Sequence, residues 1–261
     1  MRRKAPLIIT PVFLSLTLSG CQSTIEAVST GVGAVGANYF CNKKGYKEYR
    51  ALCLVGGAFV GNLLGKKLAK YLSEEDQVSM AKTTQKSLEQ GTTHSWENPE
   101  NNTKGSTKVL SSSVQSKPQT VKVLKKRVEQ VPPLEMIGEI YQATKNGNVR
   151  GGPSTDYQTV KQINVNQMVE VIGKVKGKSW YMISEGGVGS GFVFHSLIKK
   201  APEGSFIEDT TEFNDSDVEE TQVAAQSVCR KIEQSITLAD GTVHSEQMEA
   251  CQGPNGWQAK V

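Results

Sequence analysis

Five cysteines and three histidines are the residues of this chain with the most chemistry to offer. Thiolates and imidazoles hold zinc when they recur as close pairs, C-x2-C or H-x3-H. Cys21, Cys41, Cys53, Cys229 and Cys251 form no such pair, and His94, His195 and His244 lie far apart in sequence. That argues against a zinc site, and we expect neither metal nor cofactor. Gly186-Gly187-Val188-Gly189-Ser190-Gly191 is glycine-rich, yet it joins two expected strands rather than opening a helix, so it makes no phosphate cradle. Acids gather between residues 201 and 221, where no rigid scaffold is expected to tune a carboxyl for proton transfer. No nucleophile, base and orienting acid fall together. The expectation is a binding or structural chain and not an enzyme.

The elements around these residues begin with a leader. Arg2, Arg3 and Lys4 precede a short apolar run, 7–18, and small residues follow it, the pattern of a cleaved secretory signal over 1–20. Leu18-Ser19-Gly20-Cys21 resembles the lipobox of bacterial lipoproteins. The resemblance implies that the Cys21 thiol receives diacylglycerol and that its amine is then acylated, with palmitate among the chains. Two or more chains anchor stably where one binds only marginally. Gln22 rather than Asp follows the cysteine, which by the same resemblance implies the outer membrane, with the soluble part on its periplasmic face or at the cell surface. Loss of the leader removes three of the cations behind the formal +4 and leaves a nearly neutral chain of 241 residues. That balance gives no electrostatic case for nucleic acid.

Export also gives the four remaining cysteines a role, because the periplasm is oxidising. Residues 24–40 and 51–65 are apolar and studded with small residues at every fourth position: Ser29, Gly33 and Ala37, then Gly57, Gly61 and Gly65. On helices this spacing puts the small residues on one face and lets backbones approach closely. The expectation over 21–72 is a glycine-zipper helical hairpin, with Cys41 and Cys53 flanking its turn and able to pair. The hairpin either lies on the membrane or self-associates, or it inserts into the membrane as a glycine zipper.

Ser73-Glu74-Glu75-Asp76 reads as a helix start, a hydroxyl cap before acids, with Gly91 as the stop and a short strand following up to Trp96. Zipper, Ser73-Glu74-Glu75-Asp76 and Ser95-Trp96-Glu97-Asn98-Pro99 together resemble the rickettsial-type surface-antigen lipoproteins. The resemblance extends to Cys229-Arg230, Asp240-Gly241, Ala250-Cys251 and Gly256-Trp257 near the end. It implies one domain split into 73–99 and 222–261. The intervening 100–135 carries many lysines and reads as a basic linker, with Val109 to Val114 as an alternative edge strand; 201–221 reads as an acidic linker.

Between them, 136–200 alternates short strand patterns with turn signals, the mark of a small β-barrel or sandwich. Asn148-Val149-Arg150-Gly151-Gly152-Pro153-Ser154-Thr155-Asp156-Tyr157 resembles the signature of bacterial SH3-like domains, and Trp180-Tyr181 and Gly191-Phe192-Val193 continue it. Asn166-Gln167 departs from the family's usual glycine turn. The resemblance implies a core of Tyr181, Ile183 and Val193. Strand alternation then sends Trp180, Phe192 and Phe194 to the outer face, near Arg150, Asp156 and Tyr157. Those six residues are the candidate ligand surface, suited to stacking on glycan rings or holding a peptide stem.

The C-terminal hairpin can be derived in more detail. A three-residue loop, Ala239-Asp240-Gly241, pairs Leu238 with Thr242, and the same register places Cys229 opposite Cys251, within reach of a disulfide. The expected architecture is α+β: a glycine-zipper helical hairpin, a small antiparallel β-sheet domain with one helix, and an inserted SH3-like β-barrel. Two functions fit. One is a lipid-anchored envelope protein whose SH3-like domain binds peptidoglycan or a partner's peptide. The other is a structural outer-membrane lipoprotein that oligomerises through its zipper.

Overall fold

A computed structural model describes residues 63–202 and 213–260, together with 205, 207 and 211. Cys21, Cys41, Cys53, Gly33, Gly57, Gly61 and nearly all of the expected helical hairpin lie outside the described residues. The architecture over the rest corrects the α+β expectation. Two helices, α1 (Lys66–Ala69) and α2 (Glu74–Gln90), accompany twelve strands joined in one mixed sheet.

Two of those strands account for the difference. β2 (Thr103–Leu124) and β10 (Val218–Thr237) pair antiparallel along their full lengths. The span 100–135, expected as a basic linker, is therefore largely strand. Lys104, Lys108 and Lys122 are the solvent face of a period-two pattern whose other face buries Thr103, Thr107, Val121 and Val123. One register shift between Lys231 and Ile232 interrupts the ribbon and leaves Leu110 unopposed.

One end of this ribbon carries the first sheet domain. β1 (His94–Asn98) pairs with β2, and β11 (Val243–Gly253) pairs with β10 and then with β12 (Gly256–Ala259). The hairpin turns where expected, Gly241 takes a left-handed φ of 85°, and Cys229 and Cys251 are disulfide-bonded in register. Helix α2 is capped as its sequence requires. The Asp76 N–H donates to Ser73 Oγ at 3.2 Å, and Gly91 closes the helix with φ 72°. The buried Asp76 carboxylate accepts from the Asn98 and Asn101 amides, both at 2.7 Å, which ties the helix start to the β1–β2 turn. Trp96 donates to Met80 Sδ at 3.2 Å and lies over Gly105, where a Cβ would sit 2.3 Å from its indole nitrogen. Trp257 is buried with Leu63, Leu88 and Ile232.

A buried amide fixes the entering chain to this sheet. Gln234 Nε2 donates to the Leu63 carbonyl (2.6 Å) and Thr84 Oγ1 (2.7 Å), while its Oε1 accepts from the Gly65 N–H (2.8 Å). Gly65 was expected within a zipper helix. It instead precedes α1 and packs against Gln234 and Glu246, where a Cβ would come 2.3 Å from the Glu246 carboxylate. Its small size serves a strand contact, not a helix face.

The other end of the ribbon carries the barrel: β3 (Leu134–Ala143), β4 (Gly147–Arg150), β5 (Thr159–Ile163), β6 (Met168–Val175), β7 (Trp180–Glu185), β8 (Val188–Phe194) and β9 (Ile198–Lys200). Asn166 supplies the turn before β6 with φ 67°, a conformation asparagine tolerates. The barrel and the ribbon are joined by more than chain. β3 bends at Gly138 (φ 62°), and there it meets the β11–β12 turn so closely that a Cβ would lie 2.1 Å from the Gly256 nitrogen.

Candidate functional site

The hairpin of β7 and β8 positions most of the aromatic candidates. Trp180 faces Phe194, Tyr181 faces Val193 and Met182 faces Phe192 across the antiparallel pair. Alternation then divides them as the sequence implies. Ile183 and Val193 lie in the barrel core with Val149, Ile163, Val169 and Ile198, and Tyr181 packs against that cluster. Trp180, Met182 and Phe192 take the outer face.

That outer face is not open. Val121 and Val123 of β2 and Val223 and Ala225 of β10 cover it and form a second core with Trp180, Met182 and Phe192. Phe192 is 0 % exposed and Trp180 9 %, so Phe192 is removed from the ligand surface and Trp180 offers it only an edge. Phe194, one strand position beyond the cover, remains 38 % exposed. Its ring meets that of Trp180 edge-on, centroids 5.6 Å apart and planes 73° apart, an arrangement favoured by the ring quadrupoles.

A groove of about 680 Å³ opens beside this pair, walled by Arg150, Pro153, Lys178, Trp180, Phe194 and Leu197 among others. Three of the six expected residues, Arg150, Trp180 and Phe194, therefore meet at one site. The role of Arg150 differs from the expectation. Its Nη1 donates to the carbonyls of Thr155 (2.9 Å) and Tyr157 (2.7 Å), so it braces the loop that forms one wall. Ser154 Oγ donates to the Asp156 carboxylate at 2.7 Å and accepts from the Asp156 N–H, folding the loop tip on itself. The Tyr157 ring lies against Gly152, where a Cβ would be 2.5 Å from it.

Asp156 and Tyr157 face the other side of that loop. They line a second groove of about 380 Å³ with Lys126, Arg127 and Glu129. The expected set of six is thus divided: three at one groove, two at another, and Phe192 in the core. Lys178 and Leu197 are site residues that sequence reasoning passed over. Lys176-Gly177-Lys178 reads as a turn, and only the position of Lys178 two residues before Trp180 hints that the lysine stands at the aromatic pair.

A charged cluster joins the barrel to helix α2. Lys200 lies 2.9 Å from Glu139 and 3.2 Å from Glu89. Burial pushes the Glu139 carboxyl above its ordinary value, and the hydrogen bond from Lys200 offsets this only in part, while the Glu89 charge adds to the rise. Burial works against the Lys200 ammonium, but the hydrogen bonds and charges of Glu139 and Glu89 hold its pKa above the usual value. Burial, with Tyr181 and Glu139 beside it, raises the Tyr141 phenol. Among the described residues, Cys229, Cys251 and Glu249 also come together, with both sulfurs committed to the disulfide.

No curated protein matches this chain. Residues 145–199, which contribute the groove and both of its aromatic rings, match the family model of the bacterial SH3 domain.

Proposed function

We propose that this chain is a lipid-anchored protein of the bacterial outer membrane whose SH3 domain binds the peptide stem of peptidoglycan in the groove between Arg150, Trp180 and Phe194. The observation that supports the reading most is an exposed aromatic edge beside a braced loop on a bacterial SH3 domain. Phe194 and Trp180 give a peptide or glycan an apolar surface at little entropic cost, because Trp180 is locked in a core and the loop is held by Arg150. The anchor rests on Leu18-Ser19-Gly20-Cys21.

The test is retention of the mature full-length chain on purified sacculi. The wild type is expected to sediment with them, and Phe194→Ala to lose at least tenfold in affinity while keeping its thermal midpoint. Retention that is indifferent to Phe194 would remove the groove from the reading. Binding to an envelope protein's peptide but not to sacculi would favour a protein partner. For the anchor, mass spectrometry of the membrane fraction should find Cys21 acylated; an unmodified mature N-terminus would refute it.

A further inference from the structure

Resting on the groove reading above, we infer that the groove selects a free carboxylate end of a stem peptide, and that Lys178 is the residue that reads it. The residues that line the groove include two cations, Arg150 and Lys178, and no acid. The second groove, across the same loop, has Glu129 and Asp156 against Lys126 and Arg127 and carries no such bias. The two cations of the first groove are not equivalent. Arg150 spends Nη1 on the Thr155 and Tyr157 carbonyls and so contributes charge from a fixed position in the wall. Lys178 is exposed on the β6–β7 turn, and among the described residues only its backbone is tied, its N–H donating to the Val175 carbonyl at 3.1 Å. Its ammonium, with no partner among the described residues, is the available donor at the rim.

Position gives this charge its meaning. Lys178 stands two residues before Trp180, so the cationic rim adjoins the apolar surface made by Trp180, Phe194 and Leu197. Asn148 and Ser179 add uncharged polar groups to the wall. An apolar surface ending at a cation matches a small apolar side chain followed directly by a carboxylate. A neutral glycan would fill the apolar part and leave the rim unpaired. An amine-terminated peptide would meet two like charges. The terminal alanine of a stem peptide has both required features.

The experiment compares two probes on the mature full-length chain by calorimetry: muropeptides with free carboxylates, and the same muropeptides after carbodiimide amidation. Amidation is expected to weaken wild-type binding at least fivefold. Lys178→Gln should lose a similar factor on the free-acid probe and nothing on the amidated one, while Lys178→Arg restores the difference. The wild-type preference should also shrink as salt is raised, because the pair is exposed to solvent. Equal binding of the two probes, with Phe194→Ala still abolishing both, would overturn the carboxylate inference and leave the groove reading standing. If neither probe binds and sacculi are not retained, the groove reading fails and the inference with it.

Discussion

Phe192 and Phe194 are two residues apart on one strand face, and their environments assign them opposite roles. Phe192 is wholly buried between the barrel and the β2–β10 ribbon, so Phe192→Ala removes a large side chain from a closed core. The expected loss is about 3–5 kcal/mol of unfolding free energy, read by chemical denaturation. Phe194→Ala should change stability by less than about 1 kcal/mol, since the ring is partly solvated and packs by an edge. A large loss for Phe194→Ala would show it to be a core residue that happens to touch solvent. The division of faces in β7 and β8 was legible in the sequence, because alternation is local geometry. What covered one of those faces was not, since the covering valines come from strands outside the barrel that share no local pattern with it. Arg150 was recognisable as a special residue, but its loop contacts were not. A guanidinium in a motif suggests a ligand contact, and only coordinates reveal that two carbonyls of its own loop are its partners.

Elements with a strong local rule were the most predictable. Helix α2 begins at its serine cap and ends at a left-handed glycine, and hairpin register alone paired Cys229 with Cys251. Replacing both cysteines by serine should cost on the order of 3 kcal/mol, measured as a drop in the denaturation midpoint under non-reducing conditions. β2 was hidden by its composition: lysines at 104, 108, 117 and 122 and a run of serines look like a solvated linker until the buried alternates Thr103, Thr107, Val121 and Val123 are considered. The Glu89–Lys200–Glu139 cluster makes a pH-dependent prediction about how elements hold together. The Glu139 carboxyl is raised in the fold, so its contribution is favourable while it is protonated, below the ordinary glutamate range, and is lost as pH rises through its folded value. Lys200→Met removes the hydrogen bond that opposes this rise and leaves two carboxylates facing each other. The variant should therefore lose more stability relative to wild type at pH 8 than at pH 5. Equal losses at the two pH values would show that the cluster is solvated and contributes little.

At the scale of the molecule, the barrel over 145–199 was readable from the order of its motifs, but the strands that join it to the rest of the sheet were not. The expected flexible linkers would have left the SH3 domain free to move. Instead β2 and β10 run from one body into the other, paired from Lys104 with Thr237 to Leu124 with Val218. The barrel depends on this ribbon for a core, because Val121, Val123, Val223 and Ala225 close over Trp180, Met182 and Phe192. The ribbon's far half depends less on the barrel, because Cys229, Ile232 and Ile236 are covered by helix α2, the entering chain and the disulfide. This asymmetry can be tested by excision. Leu124 and Val218 are direct partners, so replacing 125–217 with a tight Asn-Gly turn converts the ribbon into a long hairpin without moving either strand. The shortened chain should keep slow amide exchange from Cys229 to Thr237, in the strand held by β11 and α2. Exchange should become fast from 218 to 226, where Val223 and Ala225, with Val121 and Val123 on the paired strand, lose their cover, and a dye that binds apolar surface should report them. The reciprocal fragment, the barrel without its ribbon, exposes Trp180 and Phe192 and should be the less stable of the two, with Trp180 fluorescence shifted to the red. If the fragment instead unfolds cooperatively at the full-length midpoint, the ribbon is packing against a domain that does not need it. If the excised chain loses protection from 229 to 237 as well, the barrel supports the whole sheet and the two bodies are one folding unit.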